Sequence, residues 1–388
     1  MQPHRKLKVL ALVDAFPRLS ETFIQDQVNY LDADVLCLAS DLTSSLTSSS
    51  RVHVLPVEST WYRLADRSIA RLGHQLNQAR AYRPLGPRRT RSARALVAKL
   101  KPEVLLGQFG PSVLRLLALD TGVPLVAHFH GADLSAYLRH THYVRALRKA
   151  AHRIAGAVVV NEQMRTRLLQ LGFRADQIAL IPYGVRSAES LTSTAIEGSG
   201  QKLRVLSVGR LVAKKDILTC IRAFAQAHAQ VPRLHYEVIG DGPLRVEAQH
   251  LIHTLGLEGS IELRGALPHG EVLLAMQRAS LFLHHAVTAP DGDEEGWPIV
   301  VAEAAAHGLP VVATQHAGIP TQVIHGTTGL LCAEHDVDAT VKALVRLAEE
   351  ADLRKAMGRA ARRHVRERFD RTMQLDALAR YVSSCSSR

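Results

Sequence analysis

The stretch RVLSVGRLVAKKD, residues 204–216, decides the fold class. Its residues 204–208, three of them the apolar Val205, Leu206 and Val208, predict a buried strand, and Gly209 lets the chain turn at the carboxyl end of that strand. Residues 217–229 continue with the spacing of an amphipathic helix. A strand, a turn and a helix in this order form the repeating unit of a parallel α/β sheet, whose carboxyl edge is where ligands bind.

The same alternation runs through both halves of the chain, so each half should build its own parallel sheet. With 388 residues, the chain is too long for one ordinary core, and two α/β domains are expected. Strands are predicted at 8–13, 52–57, 104–107, 125–128, 157–160, 204–208, 235–239, 261–263, 281–284 and 310–313. Helices are predicted at 20–31, 217–229, 244–255, 270–278, 298–307, throughout 337–369 and at 372–383.

Residues 186–202 separate the two halves. They are rich in Ser, Thr, Glu and Gly and show no apolar period, which is typical of an interdomain linker. The boundaries that follow are a first domain at 1–185, a second at 203–370, and a last helix within 371–388. We expect that last helix to pack back toward the first domain.

The net charge of +12 is concentrated in one basic stretch between residues 63 and 101. It is either a solvated surface or the footprint of an anionic partner. Few aromatic residues interrupt it, which favours a lipid head group or an anionic acceptor over nucleic acid. Its cations, opposed only by Asp66, are Arg63, Arg67, Arg71, Arg80, Arg83, Arg88, Arg89, Arg91, Arg94, Lys99 and Lys101.

Cysteine usage and hydropathy indicate a cytoplasmic protein. The four cysteines are scattered without a C-x-x-C pair, which argues against disulfides and structural zinc. The apolar run 9–13 is too short for a signal peptide, and nothing approaches the roughly 20 apolar residues of a spanning helix. We therefore expect a chain that does not cross a membrane and that attaches, if at all, to its inner face.

A second informative stretch is EGWPIVVAEA, residues 295–304. Glu295 and Glu303 are separated by slightly over two helical turns, so we expect both on one face of a helix. Pro298 suits the first turn of that helix, whose N–H groups would form an anion site. Because the neighbours of Glu303 are apolar, its carboxylate needs a polar partner. Both acids are predicted to hold hydroxyls of a sugar that carries phosphate.

Other strand ends carry basic and histidine side chains. Arg210 and Lys215 follow one strand closely enough to reach a diphosphate together. His130 follows the strand at 125–128 and precedes Gly131, which places it at the ligand-binding edge. His128 is left open between a packing and a site role. Asp291-x-Asp293 has the spacing of a metal motif, but we expect these residues to shape the loop before the helix.

Two further loops are informative only in combination. The loop 14–23 lacks the pattern G-x-G-x-x-G, which disfavours a nicotinamide cofactor, and Ser20 in it could be a helix cap. The segment 240–243, Gly-Asp-Gly-Pro, is a sharp turn after the strand at 235–239.

Taken together, these segments resemble the retaining family-4 glycosyltransferases with the GT-B fold, especially the bacterial exopolysaccharide and colanic-acid type. The resemblance covers nearly the whole chain. It implies two Rossmann-like domains facing each other across a cleft, with 1–185 binding the acceptor and 203–370 the nucleotide sugar. The matching segments are FPRLSETFI (16–24), HGAD (130–133), GRL (209–211), GDGP (240–243) and DGDEEG (291–296). The chain departs from the family at Asp216, where Gly is frequent, and at Thr321, where Glu is usual.

The resemblance also implies the site. His130, Arg210, Lys215 and Glu295 are the expected catalytic residues, with His130 lining the sugar site and the two cations holding the diphosphate. Glu303 would bind the ribose, and the loop around Ser20 would close over the diphosphate. The expected donor-binding residues are Ser20, Glu21, Thr22, Gly209, Arg210, Lys215, Gly240, Arg264, Glu295, Gly296, Trp297, Pro298, Ile299 and Glu303.

The implied reaction is transfer of a hexose from a UDP- or GDP-linked sugar, with retention of anomeric configuration and without a metal. The acceptor would be a glycan or a polyprenyl-diphosphate-linked glycan in surface polysaccharide biosynthesis, and no nucleic acid partner is expected. Two alternatives stay open. A nucleotide-sugar epimerase on the same fold would release a new monosaccharide from the donor alone. A basic nucleic-acid-binding protein without catalysis would show steeply salt-dependent binding.

Overall fold

The computed structural model describes residues 7–14, 16, 22–37, 51–58, 84–186 and 202–387. The chain divides into two compact units. Unit 1 comprises Met1–Pro182 and Gln374–Arg388, and unit 2 comprises Tyr183–Met373. Most of the linker predicted at 186–202 lies outside the described residues.

Unit 1 is built on a parallel sheet with the strand order β3-β2-β1-β4-β5-β6-β7. Strands β1, β4, β5 and β6 are buried along their whole length, as expected for a sheet covered on both faces. The strands are β1 Val9–Val13, β2 Asp34–Cys37, β3 Val52–Val54, β4 Val104–Gln108, β5 Leu125–His128, β6 Gly156–Val159 and β7 Ile178–Leu180. The helices are α1 Thr22–Leu31, α2 Pro87–Leu100, α3 Gly110–Leu117, α4 Thr141–Ala150 and α5 Glu162–Gln170.

Unit 2 repeats the architecture with the strand order β10-β9-β8-β11-β12-β13, again all parallel. Two apolar clusters cover its sheet, one on each face. The strands are β8 Leu203–Val208, β9 Leu234–Ile239, β10 Ile261–Gly265, β11 Leu281–His284, β12 Val311–Thr314 and β13 Gly329–Cys332. The helices are α6 Ile217–Gln230, α7 Arg245–Thr254, α8 His269–Arg278, α9 Ile299–Ala306, α10 Ile319–Gln322, α11 Val337–Glu349 and α12 Ala351–Arg368.

The α/β class and the Rossmann-like character of both halves are confirmed. Each predicted strand is present, most with bounds within one residue, although the strand expected at 52–57 ends at Val54. The helical region 337–369 is interrupted at Glu350, whose ψ of 81° is not helical. Strands β2, β7 and β13 were not predicted, since they have only three or four residues and little apolar periodicity.

The last helix is α13, Arg371–Cys385. Its residues up to Met373 belong to unit 2, and from Gln374 onward it belongs to unit 1. Its Tyr381 hydroxyl accepts a hydrogen bond from the Ala157 N–H at 3.1 Å and donates one to the Gln177 carbonyl. Its apolar residues join the core that covers β1 and β4. Among the described residues, no helix has the length and apolar character needed to cross a membrane.

Candidate active site

Two glycine turns meet at the carboxyl edge of the unit 2 sheet. The Gly209 N–H donates to the Ile239 carbonyl at 3.0 Å, and the Leu211 N–H donates to the Asp241 carbonyl at 2.9 Å. Gly240 has a φ of +144°, and a Cβ atom there would lie 1.8 Å from the Gly209 carbonyl oxygen. Only glycine fits at this position, because the two turns approach each other backbone to backbone.

A buried ion pair lies beside these turns. Lys215 ends a short 3₁₀ turn after β8, and its ammonium group pairs with the carboxylate of Glu295. The two side chains are 16% and 13% exposed. The Lys215 Nζ also lies 3.4 Å from Nε2 of His284, the last residue of β11. Gly209, Lys215 and His284 line one small cavity together with Arg210, whose side chain is exposed.

Electrostatics fix the charges in this cluster. Burial raises the pKa of Glu295, but the positive charges of Lys215 and Lys214 outweigh it and leave the pKa at about 2. Burial and Lys215 hold the pKa of His284 well below its usual range, so His284 is neutral and its Nε2 can accept a hydrogen bond from the ammonium. Burial lowers the pKa of Lys215, and the negative charge of Glu295 opposes this shift. The cluster therefore keeps one carboxylate ionised in a largely dry place.

The loop that carries Glu295 is held in place by hydrogen bonds with His316 and Glu334. The Glu295 N–H donates to His316 Nε2 at 3.1 Å, so His316 carries its proton on Nδ1. That Nδ1 lies 2.6 Å from Glu334 Oε1, and Glu334 Oε2 accepts the Thr288 N–H at 2.9 Å. The His316 side chain is 3% exposed. One carboxylate thus fixes both arms of the loop, directly at Thr288 and through the imidazole at Glu295.

A second ion pair shapes the same loop. Lys214 lies 3.0 Å from the Asp293 carboxylate and donates to the Glu294 carbonyl at 3.1 Å. The Asp293 N–H donates to the Asp291 carboxylate at 3.0 Å. The acidic residues at 291 and 293 therefore shape the loop, as expected. Among the described residues, no group of three or more His, Cys, Asp or Glu side chains is arranged to hold a metal ion.

The two acids at positions 295 and 303 do not share a helix, which corrects the expectation from their spacing. Helix α9 begins at Ile299, and Pro298 precedes it as the N-cap with an extended ψ of 105°. Glu295 therefore lies in the loop. Glu303 lies in the second turn of α9, where its carboxylate is 16% exposed and 3.5 Å from His269 Nε2. A proline at the N-cap starts the helix later than the pattern predicted.

The other predicted donor residues of unit 2 surround this edge. Trp297 is buried, with edge-on ring contacts to Tyr183 at 5.9 Å and to Phe369 at 5.2 Å, and Gly296 beside it is also buried. Arg264, in edge strand β10, lies 2.9 Å from the Glu237 carboxylate and 3.3 Å from that of Glu262. Their contacts with a donor stay predictions.

In unit 1, His130 lies just past β5, and its imidazole ring contacts uncharged side chains. Its Nε2 lies 2.7 Å from Gln108 Oε1, and the Gln108 amide donates to Gln27 at 3.0 Å. Because Gln108 donates onward through its nitrogen, its oxygen accepts from His130, whose proton is therefore on Nε2. The rings of Phe109 and His128 lie 4.4 and 4.3 Å from the His130 ring.

A buried carboxylate anchors the His130 loop. Asp133 accepts the N–H groups of Gly110, His130 and Gly131 at 3.1, 3.0 and 2.8 Å. Burial and the neighbouring His128 hold the pKa of His130 well below its usual range, and burial lowers the pKa of His128 to about 3. Both imidazoles are neutral at physiological pH, so His130 can accept or donate a hydrogen bond without a charge of its own.

Some predicted residues cannot be placed. Ser20 and Glu21 lie outside the described residues, and Thr22 opens α1. The first half of the basic stretch, including Arg63, Arg67, Arg71, Arg80 and Arg83, is also outside them. In the described half, Arg88, Arg89 and Arg94 donate to backbone carbonyls of Val57, Pro56 and Leu119.

Sequence reasoning missed His284, His316 and Glu334. A signal existed for His284, because it ends a predicted strand at the ligand-binding edge, much as His130 closely follows the strand at 125–128. No local signal pairs His316 with Glu334, since the two follow different strands, β12 and β13, and β13 was not predicted.

Comparison with known proteins places this geometry in a family. Residues 39–189 match glycosyltransferase family 4, and residues 193–364 match the glycosyl transferases group 1. The chain is 28% identical to a Salmonella typhimurium protein named as a colanic acid biosynthesis glycosyltransferase, WcaL, over 88% of this chain and 90% of that protein. It is 32% identical to the amylovoran biosynthesis glycosyltransferase AmsK of Erwinia amylovora, over 66% of this chain and 62% of AmsK.

Solved structures agree on the fold. Anabaena HepE in complex with UDP and glucose superposes with a TM-score of 0.75 at 21% identity, over 97% of this chain and all of that one. Sucrose-phosphate synthase of Thermosynechococcus elongatus gives a TM-score of 0.73 at 17% identity, over 97% of this chain and 98% of the other. With two Rossmann-like units and two matching family domains, the chain belongs to the glycosyltransferases of the GT-B fold.

Proposed function

We propose that the chain transfers a hexose from a UDP- or GDP-linked sugar to a glycan or polyprenyl-diphosphate-linked acceptor, with retention of configuration and without a metal. The observation that carries this proposal is the buried pair of Lys215 and Glu295 beside Arg210 at the carboxyl edge of the unit 2 sheet. The relatives named for colanic acid and amylovoran biosynthesis support exopolysaccharide as the product class.

The charges at this edge suit a sugar diphosphate. Arg210 and Lys215 would neutralise the diphosphate, Arg210 as a planar fork and Lys215 as a point charge. Glu295, with a pKa of about 2, is a pure acceptor at neutral pH and would hold sugar hydroxyls. A bare phosphate would be repelled by Glu295, so the pair favours a diphosphate that carries a sugar. Glu303, one helix turn into α9, would bind the ribose.

In the proposed reaction, the bond between the anomeric carbon and the diphosphate oxygen breaks as the acceptor hydroxyl attacks from the same side. The hydroxyl proton passes to the departing diphosphate oxygen, so atoms and charge balance. Arg210 and Lys215 would stabilise the charge that develops on the diphosphate, where preorganised cations act most strongly. His130 would contact the transferred sugar through its neutral imidazole.

The direct test is an assay with radiolabelled UDP- and GDP-hexoses, an undecaprenyl-diphosphate-linked oligosaccharide and EDTA. Transfer to the acceptor with one donor, unaffected by EDTA, supports the proposal. Proton NMR of the product then reports the anomeric configuration through its coupling constant. A new free monosaccharide from donor alone would instead indicate an epimerase, and inverted product would remove the retaining mechanism.

We also propose that the basic stretch at 63–101 docks the enzyme on the cytoplasmic face of the membrane, where a lipid-linked acceptor would be held. The expected result is co-flotation of the full chain with vesicles containing anionic phospholipid at physiological salt. Retention in the soluble fraction with such vesicles would count against this docking.

A further inference from the structure

A basic groove lies on unit 2 at the edge of the sheet opposite the candidate active site. It is a cavity of about 510 Å³ between helix α12 and the segments that lead into β11 and β12. Ser280 and Pro310, which line it, directly precede those strands, whereas Lys215 and Glu295 meet His284 at the far end of β11. At about 3.3 Å per residue, the two edges are roughly 13 Å apart along the strand.

The charged side chains that line the groove are all positive. It includes six cations and no acidic side chain, and neither acid of α12, Asp352 or Glu367, takes part. Three of the cations, Arg359, Arg363 and Arg366, are exposed and recur at helical spacing along α12. No carboxylate of the described residues pairs with these three. Such a row of like charges is unfavourable unless an anion binds to it.

Two of the remaining cations form hydrogen bonds with backbone carbonyl groups. Arg362 donates to the carbonyls of Ala306 and His307 at 3.1 and 3.0 Å, at the end of α9. Arg354 is buried and donates to the Leu347 and Ala348 carbonyls at the end of α11. Helix carboxyl ends repel anions, but here guanidinium groups cover both ends. The groove therefore stays electropositive despite the two helix ends beside it.

A buried histidine forms part of the groove wall. His307 is 6% exposed, and its Nδ1 donates to the Glu303 carbonyl at 2.8 Å. Its Nε2 is buried and has no hydrogen-bond partner among the described residues. A buried polar atom without a partner is uncommon and indicates a missing ligand or water. Burial and the nearby Arg362 guanidinium lower the pKa of His307, whereas an anion bound in the groove would raise it and accept a hydrogen bond from Nε2.

The walls of the groove are closely fitted. Gly358 of α12 approaches the turn at Gly308, where a Cβ atom would lie 2.1 Å from the Gly308 carbonyl oxygen. Gly308 has a φ of +77°, which side chains rarely adopt. Together with the Arg362 hydrogen bonds, this contact fixes α12 against the end of α9. The helix that carries the arginine row therefore has a fixed position beside the groove.

We propose that this groove binds phosphate groups, with Arg359, Arg363 and Arg366 as bidentate partners and His307 at its base. Guanidinium forks match the geometry of phosphate oxygens better than ammonium groups do. The phosphates could belong to a soluble oligophosphate or to anionic lipid head groups, which present the same chemistry. The site is separate from the proposed donor diphosphate site and does not depend on the proposed function.

The test is calorimetric titration of the full chain with inorganic tripolyphosphate, in an Arg210→Ala background that weakens the candidate donor site. The groove variant is Arg359→Ala with Arg363→Ala. The control is Arg222→Ala with Lys342→Ala, which removes the same charge from exposed positions of α6 and α11. We expect at least a tenfold weaker affinity in the groove variant and less than a twofold change in the control.

Flotation with vesicles of phosphatidylcholine, with and without phosphatidylglycerol, separates the two sources of phosphate. Loss of flotation in the groove variant but not in the control assigns the site to lipid, and an effect on tripolyphosphate alone assigns it to a soluble ligand. His307→Asn keeps a donor for the Glu303 carbonyl and removes Nε2, so it should weaken tripolyphosphate binding about threefold without changing Tm. Equal behaviour of groove and control variants with both probes would overturn the proposal.

Discussion

The carboxyl edges of the two sheets carry opposite kinds of chemistry on the same architecture. At the unit 2 edge, Lys215 and Glu295 form a buried ion pair, and Arg210 adds an exposed cation. At the unit 1 edge, the His130 imidazole lies 2.7 Å from the uncharged Gln108 side chain, which donates to Gln27, and the rings of Phe23 and Phe109 pack around it. The strand-turn-helix unit is shared, so the difference lies in the side chains that follow each strand.

This contrast suggests a division of labour. A charged edge suits a substrate that arrives with charge, such as a diphosphate, whereas a neutral edge suits hydroxyl groups that carry none.

The largest effect is expected from Glu295→Gln. Loss of the carboxylate removes charged hydrogen bonds to the sugar, and kcat/KM should fall by about 1,000-fold. Nucleotide diphosphate alone should bind as well as before or better, because Lys215 no longer pairs with an acid. Steady-state kinetics and calorimetry measure the two quantities. Glu294→Gln, one residue away, is the matched control, and a similar loss there would contradict the assignment.

A smaller effect is expected in unit 1. His130→Ala should lower kcat by about 100-fold and leave donor affinity within twofold, because a neutral imidazole supplies no charge to the diphosphate. Gln108→Leu, which frees the imidazole to turn, should lower kcat by about tenfold. The exposed His152→Ala serves as control. If His130→Ala weakened nucleotide binding as strongly as turnover, the division between the edges would be wrong.

The hydrogen bond from the Glu295 N–H to His316 supports the charged edge, and its loss should give the next largest effect on activity. His316→Leu removes the acceptor of the Glu295 N–H, and the donor KM should rise about tenfold. His316→Gln places an oxygen near the former Nε2 and should recover most of this loss. Identical KM values for the two variants would show that His316 contributes packing alone. The measurement is donor saturation at fixed acceptor.

The pH dependence of stability gives the smallest effect. Since the pKa of His128 is about 3 in the fold and near 6.5 when unfolded, the unfolded chain binds more protons in that window. Stability should fall below pH 6.5, by up to about 1.4 kcal/mol per pH unit from this residue. Glu295, with a pKa of about 2, contributes stability that is fully present above its unfolded pKa and is lost progressively as pH falls from that value through 2.

His128→Phe keeps a ring and removes the titration, so the slope of Tm between pH 6.5 and 5 should flatten. It should not vanish, because His130 and His284 have lowered pKa values as well. A slope unchanged by the substitution would mean that His128 is protonated in the fold.

The sequence contains enough to predict both sheets and the edge at which the site residues gather. The family resemblance assigned Lys215 and Glu295 to one site, and the structure brings their side chains together in an ion pair. Spacing alone misplaced Glu295 on the helix, since it could not show that Pro298 would be the cap.

Contacts between residues that are far apart in the sequence could not be predicted from it. The bridge from Glu334 through His316 to Glu295 joins three loops, and a pattern of residues carries no information on such a closure. The contacts of His130 with Gln108 and of Glu303 with His269 are of the same kind.

The most direct measurement is calorimetric binding of UDP, GDP and their hexose conjugates to the full chain in EDTA, repeated with Arg210→Ala and with the exposed control Arg222→Ala. We predict that one nucleotide sugar binds the wild-type chain. Its affinity for Arg210→Ala should be at least tenfold weaker, and its affinity for Arg222→Ala should be unchanged. Absence of binding by every nucleotide sugar, or equal affinity in all three proteins, would contradict the assignment of the charged edge to the donor.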